Sequence, residues 1–200
     1  MQAPSQPIYR RHEIPYVEHL MQYQSALRDE FLSVHTNWYD TDSKLEHVII
    51  NRPGNMDTSK ILTYPEAWKA GWFRYEDNPG GKSFLNNEYL ALFPTMQTIL
   101  KELEGEIGHL SYSILEANAV IARHTGAENR TGEHLRIHVP LIVPEGDVFF
   151  EVVGEEIDWS EPFGFNNQYP HSAHNYTPHR RLVMLIDIRR DRKSTRLNSS

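Results

Sequence analysis

The chain carries eleven histidines and no cysteine in 200 residues. Without cysteine, disulfides, thiolate catalysis, zinc knuckles and iron–sulfur clusters are excluded. The chemistry left open is that of imidazole, metal binding and proton transfer. Seven of these side chains fall in the second half of the chain: His109, His124, His134, His138, His171, His174 and His179. No HExxH helix is present, which excludes a zincin. His124 follows the apolar run Ala119-Val120-Ile121-Ala122, and His171 follows Phe165-Asn166-Asn167-Gln168-Tyr169-Pro170. Two imidazoles 47 positions apart converge only if the chain folds back between them, as a jelly roll does. A lone histidine at a strand end is more often a surface or hydrogen-bonded residue, so spacing alone gives the ligand reading only a weak claim.

Two arginines raise a charge question. In Leu135-Arg136-Ile137-His138-Val139-Pro140-Leu141 the side chains of a strand alternate between faces. Ile137, Val139 and Leu141 would meet a core, while Arg136 and His138 project together from the other face. A buried cation needs a partner. It is either an anionic ligand in a barrel mouth or a carboxylate on the neighbouring strand, and the spacing favours neither. Arg181 opens the apolar run Leu182-Val183-Met184-Leu185-Ile186, which reads as a strand buried on both faces. Its planar fork can aim at a carboxylate inside the barrel. The plainer alternative, and the favoured one on these residues, is that it caps the strand in solvent beside Arg180.

The elements that would position these groups follow from periodicity. Tyr16, Leu20, Tyr23, Leu27, Phe31 and Val34 recur every three or four residues and predict an amphipathic helix, with Pro15 in its first turn. A short strand is expected at 47–50, and a short helical stretch from Pro65 carrying Trp68 and Trp72. A loop is expected over 76–81, and a helix from Pro94 with Met96, Ile99, Leu100 and Leu103 on one face. Trp68, Trp72 and Tyr75 read as core, not as a substrate platform. After Gly108 the character changes, with strand-like segments at about 110–116, 119–123, 135–143, 148–153, 162–165 and 180–188. The expected fold is mainly β, a jelly roll or barrel with the N-terminal helices packed on one sheet. Residues 1–108 would form a helical and loop region on the core, and 109–190 the β-core, within one structural domain.

The formal net charge is −7, which argues against a generic nucleic-acid or anionic-membrane partner. No apolar run approaches the roughly 20 residues of a membrane helix, and the N-terminus lacks a secretory h-region. A cytoplasmic address is expected. The last ten residues, 191–200, read as a non-native tail and are set aside from fold reasoning. His174 and His179 read as surface residues, and Glu102, Glu104 and Glu106 as a solvated helix end.

Several segments, taken in order, carry a resemblance. They are Ser111-Tyr112-Ser113-Ile114-Leu115, Arg123-His124-Thr125-Gly126, and Leu135 to Pro144. Trp159, Phe165-Asn166-Asn167, His171, Asn175 and Arg181 to Asp187 follow, with Gly71-Trp72 and Phe93-Pro94-Thr95 upstream. This order resembles the aspartyl/asparaginyl β-hydroxylase family of iron(II)/2-oxoglutarate oxygenases, over about half the chain. The resemblance implies a double-stranded β-helix of the cupin type. It also implies His124 and His171 as iron ligands, and Arg181, helped by Ser113, as the holder of the distal carboxylate of 2-oxoglutarate. His138 would bond the end of the cosubstrate nearest the metal, and Arg136 would face cosubstrate or substrate.

Gly126 stands where most iron oxygenases carry a third, carboxylate ligand; the resemblance includes hydroxylases with glycine there. Glu128 and Glu133 are weaker alternatives as a third ligand. Four departures surround the substrate and not the iron. Arg123 replaces a common Pro, extra residues precede Arg136, His134 stands for an Arg, and Asn166-Asn167 stand for Asp-Asp. The expected activity is hydroxylation of an amino acid or of an aspartyl/asparaginyl-type side chain of a peptide or protein. It would use Fe(II), 2-oxoglutarate and O2, releasing succinate and CO2. The alternatives are a non-catalytic metal or 2-oxoglutarate sensor on the same barrel, and a metal-dependent cupin isomerase.

Overall fold

The structure is a computed structural model that describes residues 6–46, 48, 60–76, 84–126 and 134–189. The strands are β1 (Ile8–Tyr9), β2 (Trp68–Tyr75), β3 (Phe84–Leu85), β4 (Ile107–Leu115), β5 (Ala119–His124), β6 (His134–Ile142), β7 (Val148–Val152), β8 (Glu155–Ile157), β9 (Phe163–Phe165), β10 (His171–Asn175) and β11 (Arg181–Arg189). The helices are α1 (Val17–Met21), α2 (Gln24–Val34), α3 (Asn87–Leu90) and α4 (Pro94–Glu102). Among the described residues the strands form two antiparallel sheets. The larger has the order β1-β9-β6-β11-β4-β2-β3, the smaller β5-β10-β7-β8.

Side-chain alternation along the larger sheet builds two cores. One face of β4, β6 and β11 presents Leu110, Tyr112, Ile114, Ile137, Val139, Leu182, Met184 and Ile186 to the helices, where they meet Leu20, Leu27, Phe31, Met96 and Ile99. Burying each large apolar side chain contributes on the order of 1.5–3 kcal/mol, so this face fixes the sheet's register. The other face turns Leu115, Phe163, Phe165 and Val183 toward Ile121, Val148, Phe150 and Ala173 of the smaller sheet. The chain is therefore mainly β, a cupin-like jelly roll with its N-terminal helices on one sheet. The helices are tied to one another as well. The Glu30 carboxylate of α2 accepts from the Thr95 N–H and hydroxyl at the start of α4, at 2.9 and 2.6 Å, an anion placed where helix N-termini favour one.

Three expectations are corrected. The helix expected over 16–34 breaks at Gln22–Tyr23 into α1 and α2. The segment after Pro65 forms no helix over Trp68 and Trp72. It forms strand β2, paired with β4 from Trp68↔Leu115 to Trp72↔Ser111. A spacing of four fits either period, and residues 68–73 are buried on both faces of the strand, Trp68 in the core between the sheets and Phe73 in the core under the helices. Gly71 is required there, because a Cβ would lie 2.5 Å from the Tyr89 hydroxyl. Residues 171–175, not expected as a strand, form β10 in the middle of the smaller sheet. The expected strand at 47–50, most of the loop at 76–81 and the tail at 191–200 lie outside the described residues.

A buried ionic clamp closes one end of the barrel. Arg180 donates to Glu116 Oε2 at 2.7 Å and to the carbonyls of Trp38, Asp40, Thr41 and Ser43 at 2.7–3.1 Å. Lys69 Nζ takes the other Glu116 oxygen at 2.5 Å. The loop after α2 is thereby bound to β2, β4 and β11.

Candidate active site

β5 and β10 pair so that His124 and His171 lie directly opposite each other, beside a register shift at residues 171–173. Their ring centroids are 4.3 Å apart, a separation across which two ring nitrogens can share one ion. In each ring Nδ1 faces the carbonyl two residues earlier, His124 toward Ala122 and His171 toward Tyr169, both at 2.8 Å. A carbonyl only accepts, so the hydrogen belongs on Nδ1 and the lone pair on Nε2. That tautomer is the one a metal ligand needs, and the carbonyls fix the ring orientations. The Gly126 N–H donates to the Asn167 carbonyl at 2.7 Å, closing the end of β5 over the β9–β10 connection. Among the described residues no group of three or more His, Asp or Glu side chains is placed to hold a metal. Glu128 and Glu133 lie outside the described residues.

The cavity beside this pair is lined by Trp68, Ser113, Arg136, Phe150, Phe165 and Arg181, among others. Arg181 is 1% exposed, which removes the solvent-cap reading. Its Nη2 donates to Ser113 Oγ at a long 3.4 Å, its guanidinium lies 4.8 Å over the Trp159 ring, and its Nε has no partner. No described carboxylate pairs with it. Burial alone pushes the guanidinium pKa down to about 9. Such a cation is costly without an anion, and its planar fork suits a carboxylate.

His138 stands on the same inward face, its ring stacked on Trp159 and edge-on to Phe150, Phe163 and Phe165. Burial first, then the charges of Arg181 and Arg136, holds its pKa well below the usual histidine range. The neutral ring keeps a buried Nδ1 without a partner. The donor set fits the groups the fold calls for. A histidine pair is disposed toward an ion, and an orphaned guanidinium with an under-bonded hydroxyl and imidazole is disposed toward a dicarboxylate.

Arg136 resolves the alternative left open by spacing. It donates to Asp187 of the neighbouring β11 through Nε and Nη2 at 2.8 and 2.7 Å, a bidentate pair. Burial pushes the Asp187 carboxyl up. Arg136 and then His109 outweigh that and hold it well below the usual carboxylate range. Arg136 still forms part of the cavity wall, but its charge is already balanced. His174, 2.9 Å from Asp147, and the exposed His179 stand outside the cavity.

Two tryptophans have roles that sequence reasoning missed. Trp68 Nε1 donates to Ser113 Oγ at 2.9 Å and so orients the hydroxyl toward Arg181. Trp159 packs its ring against both Arg181 and His138. Strand alternation at Trp68, Ala70 and Trp72 was the signal available for the first. Trp159 gives none beyond its place in the resemblance.

The jelly roll thus holds an opposed histidine pair and a buried arginine without a carboxylate partner among the described residues in one cavity. The family description "Aspartyl/Asparaginyl beta-hydroxylase" matches residues 22–191. The chain belongs to the aspartyl/asparaginyl β-hydroxylase family and is a hydroxylase of the 2-oxoglutarate/iron type. No match is found among curated proteins. Solved structures similar in fold include a 2OG-Fe(II) oxygenase family oxidoreductase from Burkholderia pseudomallei, with TM-score 0.48 and 11% identity over 66% of this chain and 73% of that one. Another is a prolyl hydroxylase from Trichoplax adhaerens in complex with a hypoxia inducible factor peptide fragment, with TM-score 0.48 and 14% identity over 88% and 83%. A prolyl-4-hydroxylase from Pseudomonas putida gives TM-score 0.42 and 13% identity over 82% and 87%. Among the described residues, no helix is long and apolar enough to cross a membrane.

Proposed function

We propose that the protein hydroxylates an amino acid or an aspartyl/asparaginyl-type side chain, with 2-oxoglutarate as cosubstrate, O2 as oxidant, and succinate and CO2 as coproducts. The observation that carries the reading is the buried Arg181, without a carboxylate partner among the described residues, in the same cavity as the opposed rings of His124 and His171.

His124 and His171 would hold Fe(II) through Nε2, each ring fixed by its Nδ1–carbonyl bond. Arg181 would take the distal carboxylate of 2-oxoglutarate, with Ser113 as second donor, presented by Trp68. His138 would donate or accept at the cosubstrate end nearest the metal, its neutral ring adding no charge there. Iron with its oxoacid, when bound, supplies oxygen activation; the chain supplies placement and a dry pocket. Phe150 and Phe165 form the apolar wall that excludes water beside the histidine pair. Burial of Arg181 also makes its attraction for a dianion stronger than it would be in water.

The test is to incubate the protein with Fe(II), ascorbate and labelled 2-oxoglutarate, alone and with pools of amino acids and peptides. The expected result is labelled succinate, slow without substrate and faster with a substrate that gains the mass of one oxygen. Oxoacid binding with no succinate from any pool would select the sensor reading instead. Turnover that continues without oxygen would select an isomerase.

A further inference from the structure

The inward faces of β2 and β4 repeat one pairing twice. At the Arg181 end the Trp68 indole donates to Ser113. Four residues along β2 and two back along β4, Trp72 lies directly opposite Ser111 in the register. Here the indole Nε1 and the Ser111 Oγ are both buried and both without a partner. The residues are 3% and 1% exposed. His109, 2% exposed and two residues further along β4, packs its ring 6.2 Å from that of Trp72 and 4.6 Å from that of Tyr75. Its Nδ1 lies 2.8 Å from Asp187 Oδ2, and its Nε2 is unpartnered. The three side chains do not line the cavity themselves but lie next to residues that do. Leu185 and Arg136 line the cavity; Ser111 pairs with Leu185, and Asp187, the partner of Arg136, pairs with His109.

Buried polar groups in native proteins are almost always satisfied. Three orphans side by side, in register with the cavity-lining Leu185 and with Asp187, the partner of the cavity-lining Arg136, mark a place where something polar binds. The indole only donates and the serine hydroxyl can donate, so both can converge on one acceptor oxygen. With the His109 ring hydrogen on Nδ1, facing the Asp187 carboxylate, Nε2 is an acceptor and asks for a donor. The charge is already balanced, because Asp187 is matched by Arg136. A second carboxylate here would sit beside Asp187 with no cation left for it, which is unfavourable. A neutral group with an acceptor and a donor side by side fits.

We infer that Trp72, Ser111 and His109 form a substrate subsite for an amide group, its carbonyl oxygen taken by Trp72 and Ser111 and its N–H by His109. The inference rests on the hydroxylase reading and sharpens its substrate class toward carboxamides over carboxylates. The amide can belong to a side chain or to a peptide bond.

The test uses the full chain labelled with 15N in its four tryptophan indoles, loaded with Zn(II) in place of iron and with 2-oxoglutarate. Trp72→Phe assigns the Trp72 signal. Loading 2-oxoglutarate moves the Trp68 and Trp159 signals, as the hydroxylase reading requires. L-Asparagine, or a blocked alanine peptide lacking a side-chain amide, then moves the Trp72 N–H. The first result assigns a side-chain carboxamide and the second a peptide unit. L-Aspartate binds at least tenfold more weakly, and Ser111→Ala weakens the amide probe at least fivefold. Aspartate binding as tightly as the amides overturns the inference. So does a Trp72 signal that no probe moves while 2-oxoglutarate moves Trp68, since the orphans then hold ordered water only. If 2-oxoglutarate moves neither Trp68 nor Trp159, the reading of the main site fails first and this subsite falls with it.

Discussion

Arg180 and Arg181 are consecutive, both essentially buried, and opposite in use. Arg180 spends its donors on Glu116 and on the carbonyls of the loop after α2. Arg181, facing the other side of β11, has one long bond to Ser113, an aromatic face, and an unpaired Nε. A buried cation surrounded by matched acceptors holds a fold together. One left short of acceptors destabilises the ligand-free fold and waits for an anion. In the proposed function the pair separates structure from function within two residues.

The largest expected effect comes from breaking that contrast. Arg180→Met leaves Glu116 and at least four carbonyls short of a donor, and should cost about 3–5 kcal/mol of stability. Arg181→Met removes an unpaired charge, and should stabilise the ligand-free protein by about 1–3 kcal/mol while weakening 2-oxoglutarate binding about 100-fold, or about 2.7 kcal/mol. Denaturant unfolding and calorimetry read the two. Equal destabilisation by both substitutions would erase the distinction.

A smaller effect separates the regions by pH. His138, beside Arg181, keeps its pKa well below the usual range when folded, chiefly through burial. Between that value and the unfolded pKa of about 6.5 the unfolded chain binds the extra proton, so stability falls as pH falls. The slope contribution reaches about 1.4 kcal/mol per pH unit. His138→Gln should remove it, as followed by denaturant unfolding from pH 7.5 to 5. An unchanged slope would mean that His138 titrates normally.

The smallest is Ser113→Ala, which strips an acceptor from Trp68 and from Arg181 together. It should cost about 1 kcal/mol of stability and weaken 2-oxoglutarate binding several-fold, with metal binding unaffected.

Much of this arrangement was legible in the chain. The alternation in 135–141 placed Ile137, Val139 and Leu141 together toward a core and Arg136 and His138 together on the other face, and the structure packs the first set under the helices and turns the second to the cavity. The partner of Arg136 was not legible, since Asp187 lies 51 positions away and only sheet register makes it a neighbour. β2 was hidden because Trp68 and Trp72 satisfy helical and strand periods alike. β10 was hidden because His171-Ser172-Ala173-His174-Asn175 has little apolar content; its burial comes from sitting between β5 and β7. The opposition of His124 and His171 is likewise a property of register, for which spacing offered only permission.

The central claim is that one metal and one oxoacid bind together between the histidine pair and Arg181. Calorimetric titration of 2-oxoglutarate into the protein, with and without Mn(II) as an oxygen-inert substitute for iron, tests it most directly. Tight binding should require the metal, and should be lost in His124→Ala, in His171→Ala and in Arg181→Met. Equal affinity with and without metal, or undiminished metal-dependent binding in either histidine variant, would contradict the account.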